Sequence, residues 1–246
     1  MDFGTIMLLA GLMCVAAALY TSIGHGGASA YLALMALFSV SAVTMKPTAL
    51  VLNLIAASLT LVQFLRTGQF NRKLFWMFAL PAIPMAFLGG RFALPEEIYR
   101  PLLGAVLWAA AARLLWPKPL PCLFDVKTPS VRVAAPTGAA LGLLAGLTGT
   151  GGGIFLSPLI LLLGWEEPRK TSGVAAAFIL ANSGAGLAGN LTSLQRLPPE
   201  LPWFAGAVLI GAVAGSSLGV SRLPRPLLLQ LLGVVLVIAG AKLLFT

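Results

Sequence analysis

The feature that most restricts the fold of this chain is a succession of apolar segments that runs through its whole length. Short polar stretches separate the segments, and about 20 apolar residues suffice to cross a bilayer as an α-helix. The segments cover residues 3–23, 28–40, 47–65, 74–92, 98–116, 134–149, 154–164, 171–191, 201–220 and 226–245. The sequence therefore predicts an all-α polytopic membrane protein with about eight to ten transmembrane or half-spanning helices.

Composition excludes several other classes of protein. Of the 246 residues, 59% are hydrophobic and 9% are charged, whereas a soluble domain has about 45–50% apolar and about 25% charged residues. This excludes a soluble globular domain, a disordered chain, a nucleic-acid binder and a disulfide scaffold. The expected partners are the lipid bilayer and a small anionic substrate, in a monomer or an oligomer, with no nucleic acid.

The chain divides into two similar halves. A proline-rich polar stretch favours an extended linker over residues 117–133, between repeat 1 (1–116) and repeat 2 (134–246). Laid over 215–245 without a gap, residues 86–116 are identical at twelve of thirty-one positions. The motif Gly24-His25-Gly26-Gly27 also lies 125 residues before Gly149-Thr150-Gly151-Gly152. An internal duplication explains both matches.

The basic residues distinguish two topologies for these repeats. If each glycine motif reverses the chain direction, each half crosses the membrane an odd number of times, and the basic residues divide eleven to five between the two sides. If each motif only breaks one long helix, they divide nine to seven. The positive-inside rule favours the first arrangement, with inverted repeats and both termini outside. Its smaller group is Lys46, Arg91, Arg100, Arg196 and Lys242, and its larger group is Arg66, Arg72, Lys73, Arg113, Lys118, Lys127, Arg132, Arg169, Lys170, Arg222 and Arg225.

The segments that follow the two glycine motifs are too short to cross comfortably. They reach roughly 20 and 17 Å, against a hydrocarbon core of about 30 Å, and the sequence leaves open whether they are re-entrant or crossing. Matched, glycine-interrupted segments in two repeats indicate a transporter site near the middle of the membrane. Glycine-rich turns at helix starts present N–H groups that favour an anion. The alternative is close helix packing through small residues.

Candidate substrate-binding residues are those of the motifs and the polar side chains near them. His25 is a candidate for proton coupling or for donating to substrate, or is a tolerated substitution. Lys46 and Lys170 either extend to the interface or act as a gate that attracts anions. The substrate-binding set is Ser22, Gly24, His25, Gly26, Gly27, Asn53, Thr148, Gly149, Thr150, Gly151, Gly152, Gly153, Asn182 and Ser183.

Acidic residues are expected only in loops and at the termini, so no intramembrane carboxylate is available to carry a proton or bind sodium. They are Asp2, Glu96, Glu97, Asp125, Glu166, Glu167 and Glu200. The sequence contains no metal-ligand cluster and no phosphate-cradling loop with lysine. We therefore expect no cofactor, no metal and no catalytic residue.

Three features together resemble the TauE/SafE family of sulfite exporters, of the toluene sulfonate uptake permease superfamily. They are Gly149 to Gly153 followed by Pro158, the first glycine motif, and the stretch with Lys170, Ala175 to Ala177 and Asn182. The resemblance implies a prokaryotic inner-membrane transporter for sulfur anions such as sulfite, thiosulfate, sulfonates or sulfoacetate. Ala28 and Ala33 depart from the pattern, which puts two equivalent half-sites in doubt.

The main hypothesis is therefore a secondary transporter that works by alternating access. One alternative is a rhomboid-like intramembrane serine hydrolase with Ser183 as nucleophile and His25 as base. An anion channel is the other alternative. The substrate, the direction of transport, its coupling and the oligomeric state stay open.

Overall fold

The structure is a computed structural model that describes residues 2–115, 126–217 and 225–245. The described residues form ten α-helices and one short 3₁₀-helix, and no strand occurs among them. The predicted linker lies largely outside the described residues, and repeat 2 begins to be helical at Val131. The helices are α1 (Phe3–Ser22), α2 (Ala28–Leu37), α3 (Ala42–Arg66), α4 (Arg72–Arg91), α5 (Glu96–Leu115), α6 (Val131–Thr148), α7 (Gly153–Leu162), α8 (Pro168–Gly189), α9 (Leu201–Ser217) and α10 (Arg225–Phe245), with the 3₁₀-helix Leu191–Arg196 before α9.

The all-helical membrane fold is confirmed. Six of the helices, α1, α3, α4, α5, α6 and α8, are long and apolar enough to cross a membrane. Helix α3 begins five residues before the predicted apolar segment, and Pro47 lies within its second turn. Helix α5 begins at Glu96, so Glu96 and Glu97 lie in its first turn and not in a loop. Carboxylates at that position stabilise the helix dipole.

Regularly spaced glycines allow two helix pairs to pack closely. Gly138, Gly142 and Gly146 of α6 lie against the carbonyls of α4, and Gly211 and Gly215 of α9 lie against those of α1. A Cβ at any of these glycines would collide with the neighbouring backbone. Glycine every fourth residue lets membrane helices approach closely. Both pairs are parallel and join one half of the chain to the other.

The contacts follow the order that a duplication predicts. If α1 to α5 correspond in order to α6 to α10, the packing of α4 on α6 corresponds to the packing of α9 on α1. Two corresponding pairs also contact each other directly: α5 with α10, and α3 with α8. Each half contains a 10-residue helix, α2 or α7, directly after its glycine motif. The duplication itself stays a prediction, as do the domain boundaries.

Each short helix returns to the face of the bundle at which the preceding long helix begins: α2 returns to the face where α1 begins, and α7 to the face where α6 begins. The Lys127 N–H donates to the Gly164 carbonyl, so α7 ends beside the start of α6. Similarly, Lys242 Nζ lies 3.1 Å from the Leu37 carbonyl, which places the end of α2 beside the end of α10. We call the face where α1 and α3 begin and α4 and α8 end the N-terminal face, and the opposite one, where α5 ends and α6 begins, the linker face. The described cations divide between the faces as in the inverted-repeat hypothesis.

Candidate functional site

Both glycine motifs form turns that only glycine adopts without strain. Gly24 and Gly27 have φ of 86° and 98°, and Gly149, Gly151 and Gly152 have φ of 83°, 75° and 76°. An L-residue in this left-handed region costs roughly 1–2 kcal/mol. The first turn ends at Gly27, before α2, and the second at Gly152, before α7.

The two turns meet at one place between α3 and α8. A Cβ on Gly26 would lie 2.5 Å from Asn53 Oδ1 and 3.0 Å from Ile179 Cγ2. A Cβ on Gly151 would lie 2.7 Å from Asn53 Nδ2, 2.9 Å from the same methyl carbon of Ile179 and 3.1 Å from Ser183 Oγ. The predicted motifs, Asn53 and Ser183 are therefore brought together.

Asn53 joins three elements at this point. It is fully buried; its Oδ1 accepts from the Ala28 N–H at 3.1 Å, and its Nδ2 donates to Ser183 Oγ at 3.3 Å. The amide thus caps α2 and ties α3 to α8. Ile179 contacts both glycine turns from α8, as Asn53 does from α3. Sequence reasoning missed Ile179 because an apolar residue in an apolar helix gives no signal.

The second turn presents four successive backbone donors. Within the described part of the chain, no hydrogen-bond acceptor contacts the N–H groups of residues 151–154. In the first turn the same is true of the N–H groups of Gly26, Gly27 and Ser29. Free N–H groups at a helix start, together with the positive end of the helix dipole, favour an anion.

Asn182 lies beside the second turn with its amide unsatisfied. The residue is 1% exposed, and neither its Oδ1 nor its Nδ2 has a partner among the described residues. One turn before it on α8, the Phe178 ring approaches Gly152, and one turn after it Gly186 faces Gly146 of α6. The helix period places Asn182 on that same face, toward the second turn. A buried amide without partners is costly, so Asn182 remains a candidate substrate-binding residue.

The other predicted side chains bond mainly within their own segments. Ser22 Oγ donates to the Leu19 carbonyl, and His25 Nδ1 lies 3.2 Å from the Ile23 carbonyl. The hydroxyls of Thr148 and Thr150 are 2.9 Å apart. These residues shape the turns, as does Tyr31, whose hydroxyl donates to the Gly26 carbonyl at 2.9 Å. Tyr31 was not among the predicted residues.

The two predicted lysines differ in their surroundings. Lys46 Nζ donates to the carbonyls of Gly89, Gly90 and Phe92 at 3.1–3.2 Å and so caps the end of α4. Lys170 Nζ lies 3.6 Å from the Glu167 carboxylate, and both side chains are well exposed. Lys46 therefore has a structural role that the sequence did not predict, on a face opposite to that of Lys170.

One carboxylate is more buried than its position in a loop suggested. Glu166 is 4% exposed, contacts Asn71 Nδ2 and accepts from the Glu167 N–H at 3.0 Å. It joins the start of α4 to the α7–α8 connection on the linker face. The described residues contain no group of three or more His, Cys, Asp or Glu that could hold a metal ion.

The fold and the site together define a multi-pass membrane permease. Its long helices can span a membrane, two short helices start from glycine turns, and a buried polar site lies between those turns. The sequence profile of the family described as sulfite exporter TauE/SafE matches residues 8–243. A protein of Sinorhizobium fredii (strain NBRC 101917 / NGR234) named "Probable membrane transporter protein y4hK" is 39% identical over 248 residues, which cover all of both chains. The chain belongs to the TauE/SafE family and is a membrane transporter.

Proposed function

We propose that this protein is a secondary transporter for a small sulfur-containing anion of the sulfite, thiosulfate, sulfonate or sulfoacetate class. The observation that carries the proposal is the set of free backbone donors in the second glycine turn, beside the unpartnered amide of Asn182. Uncharged donors suit an oxyanion that must bind and leave again, because they attract it without forming an ion pair. The family name supports the sulfur chemistry.

The proposed mechanism is alternating access around this site. The short helices α2 and α7 hold the glycine turns from opposite faces, while α3 and α8 cross between them. Movement of one repeat against the other would expose the turns to each face in turn. The proposed orientation places the more basic linker face in the cytoplasm and both termini outside, in a prokaryotic inner membrane.

Ligand-induced thermal stabilisation of the purified protein tests the proposed substrate class. A ligand that binds the folded state raises the melting temperature as its concentration rises. Sulfite, thiosulfate, methanesulfonate and sulfoacetate are compared with chloride and acetate at equal ionic strength. We expect stabilisation by at least one sulfur anion and none by the two controls. The absence of stabilisation by any sulfur anion would falsify the proposal.

Flux measurements distinguish a transporter from a channel. In proteoliposomes, a transporter shows uptake that saturates with substrate, whereas a channel shows far larger fluxes without saturation. The rhomboid-like alternative has no support from the family or from the relative, both of which are transporters. In the structure, Ser183 Oγ accepts from Asn53.

A further inference from the structure

A cavity with a mostly apolar lining and a few polar and charged side chains opens between α3 and α8 on the N-terminal face. Its volume is about 140 Å³, room for several water molecules at roughly 30 Å³ each. Lys46, Asn190 and Arg196 lie at its outer part, and Leu50, Leu147 and Gly186 at its inner part. We call this cavity the vestibule.

Two stripes of residues lead from the vestibule to the glycine turns. On α3, Lys46, Leu50 and Asn53 follow the i, i+4, i+7 spacing that keeps residues on one helix face. On the antiparallel α8, Asn190, Gly186 and Ser183 follow the same spacing in reverse. Lys46, Leu50, Asn190 and Gly186 line the vestibule, and Asn53 bonds to Ser183 one turn deeper. The cavity therefore points along α3 and α8 toward the site.

One helical turn separates Leu50 and Gly186 of the vestibule lining from the Asn53–Ser183 hydrogen bond. A Cβ on Gly186 would lie 3.6–3.7 Å from its nearest neighbours, one of which is Leu50 Cδ1, so the position accepts a small side chain. Leu50 of α3 is therefore the side chain that faces Gly186 across the inner end of the vestibule.

The vestibule has an excess of positive charge. Arg196 is exposed and has no partner in the described ranges. Lys46 bonds only to neutral carbonyls. Glu96 also lines the vestibule, but its carboxylate is paired with Arg100, whose Nε lies 2.7 Å away. Cations at the mouth of a cleft raise the local concentration of an anion.

We propose that the vestibule is an outer anion site, in which Arg196 receives the substrate anion on the N-terminal face before it passes between Leu50 and Gly186. This inference rests on the proposed function, since it concerns the entrance to the same site. It assigns Arg196 a recruiting role and makes Gly186 the narrowest point of the entrance.

Cysteine labelling at Gly186 tests the vestibule directly. In the full chain with Cys14→Ala and Cys122→Ser, Gly186→Cys is labelled in detergent with an anionic sulfonatoethyl or a cationic trimethylammonioethyl methanethiosulfonate. The ratio of the two rates cancels the reactivity of the thiol itself. We expect Arg196→Gln to lower the anionic-to-cationic ratio about three- to tenfold at low salt, and high salt to reduce this difference.

Gly184→Cys is the matched control, because Gly184 lies on α8 outside the vestibule lining with only Leu54 within 4 Å. The proposal is overturned if Gly186→Cys labels no faster than Gly184→Cys, or if Arg196→Gln leaves the rate ratio unchanged. In proteoliposomes we expect Gly186→Leu to reduce uptake at least tenfold. We expect the anion still to raise the melting temperature of Gly186→Leu, because the site can be loaded from the other face. If the anion does not raise the melting temperature of the wild-type protein, it is the proposed function that fails.

Discussion

The two glycine turns share a backbone pattern but differ in what surrounds their donors. In the first turn, Asn53 takes the Ala28 N–H and Tyr31 donates to the Gly26 carbonyl. In the second, four successive N–H groups have no partner among the described residues. Asn53 thus takes one donor of the first turn, which keeps three N–H groups without a described acceptor, whereas the second turn keeps four in succession.

This difference follows from the two side chains that lie between the turns, which are polar on α3 and apolar on α8. Asn53 and Ile179 contact both turns from opposite helices, but only Asn53 can hydrogen-bond. The two turns have similar backbones, and a single amide makes them unequal. The sequence departures at Ala28 and Ala33 already put equivalent half-sites in doubt.

The largest effect is expected from a methyl group in the second turn. In Gly151→Ala, the new Cβ would collide with Asn53 Nδ2 at 2.7 Å and adopt a positive φ. We expect uptake and anion-induced stabilisation to fall more than tenfold. Gly11→Ala is the control, because its Cβ would meet nothing within 4 Å. Normal anion binding by Gly151→Ala would contradict a ligand role for the second turn.

Asn53→Leu should lower the melting temperature of the ligand-free protein. It leaves the Ala28 N–H and the Ser183 hydroxyl buried without their partner, at a cost of about 1–3 kcal/mol. Asn53→Asp keeps an acceptor for the Ala28 N–H but adds a negative charge beside the site. We expect this variant to fold and to lose anion-induced stabilisation, as measured by thermal unfolding in detergent.

Asn182→Leu should have the opposite effect on stability. Because the Asn182 amide has no partner to lose, an apolar side chain of similar size removes a desolvation cost. The ligand-free melting temperature is expected to stay equal or rise, while the shift produced by a sulfur anion falls at least threefold. A drop in ligand-free stability like that of Asn53→Leu would show that Asn182 is a structural amide.

The smallest effect concerns the residues that follow the short helices. Gly164 and Ser39 have φ of 62° and 56°, and Lys242 Nζ lies 2.8 Å from Ser39 Oγ. Gly164→Ser should destabilise the protein by about 1 kcal/mol. Ser39→Gly relieves strain but loses the lysine bond, so its net change should stay within about 0.5 kcal/mol. The free energy of unfolding is measured by reversible unfolding in mixed micelles. Equal changes for Gly164→Ser and Ser39→Gly would contradict the expected difference between the two halves.

The membrane class and the family were predictable because they depend on local sequence. Apolar length determines which segments can cross a bilayer, and glycine determines where the backbone can take a positive φ. The same physics located both turns and the short helices after them. Helix starts were less predictable: α3 begins at Ala42 although Pro47, in its second turn, lacks the N–H for an i→i−4 hydrogen bond.

The arrangement of the site depended on contacts between residues far apart in sequence. Asn53 and Asn182 carry the same amide group. The packing of α3 on α8 gives the Asn53 amide its partners and leaves the Asn182 amide without one among the described residues. Lys46 caps α4 rather than following the role of Lys170, because the end of α4 lies beside it. Sequence by itself determined the helices and the turns; the tertiary structure decided which polar groups meet, since hydrogen bonding depends on positions that only the folded bundle fixes.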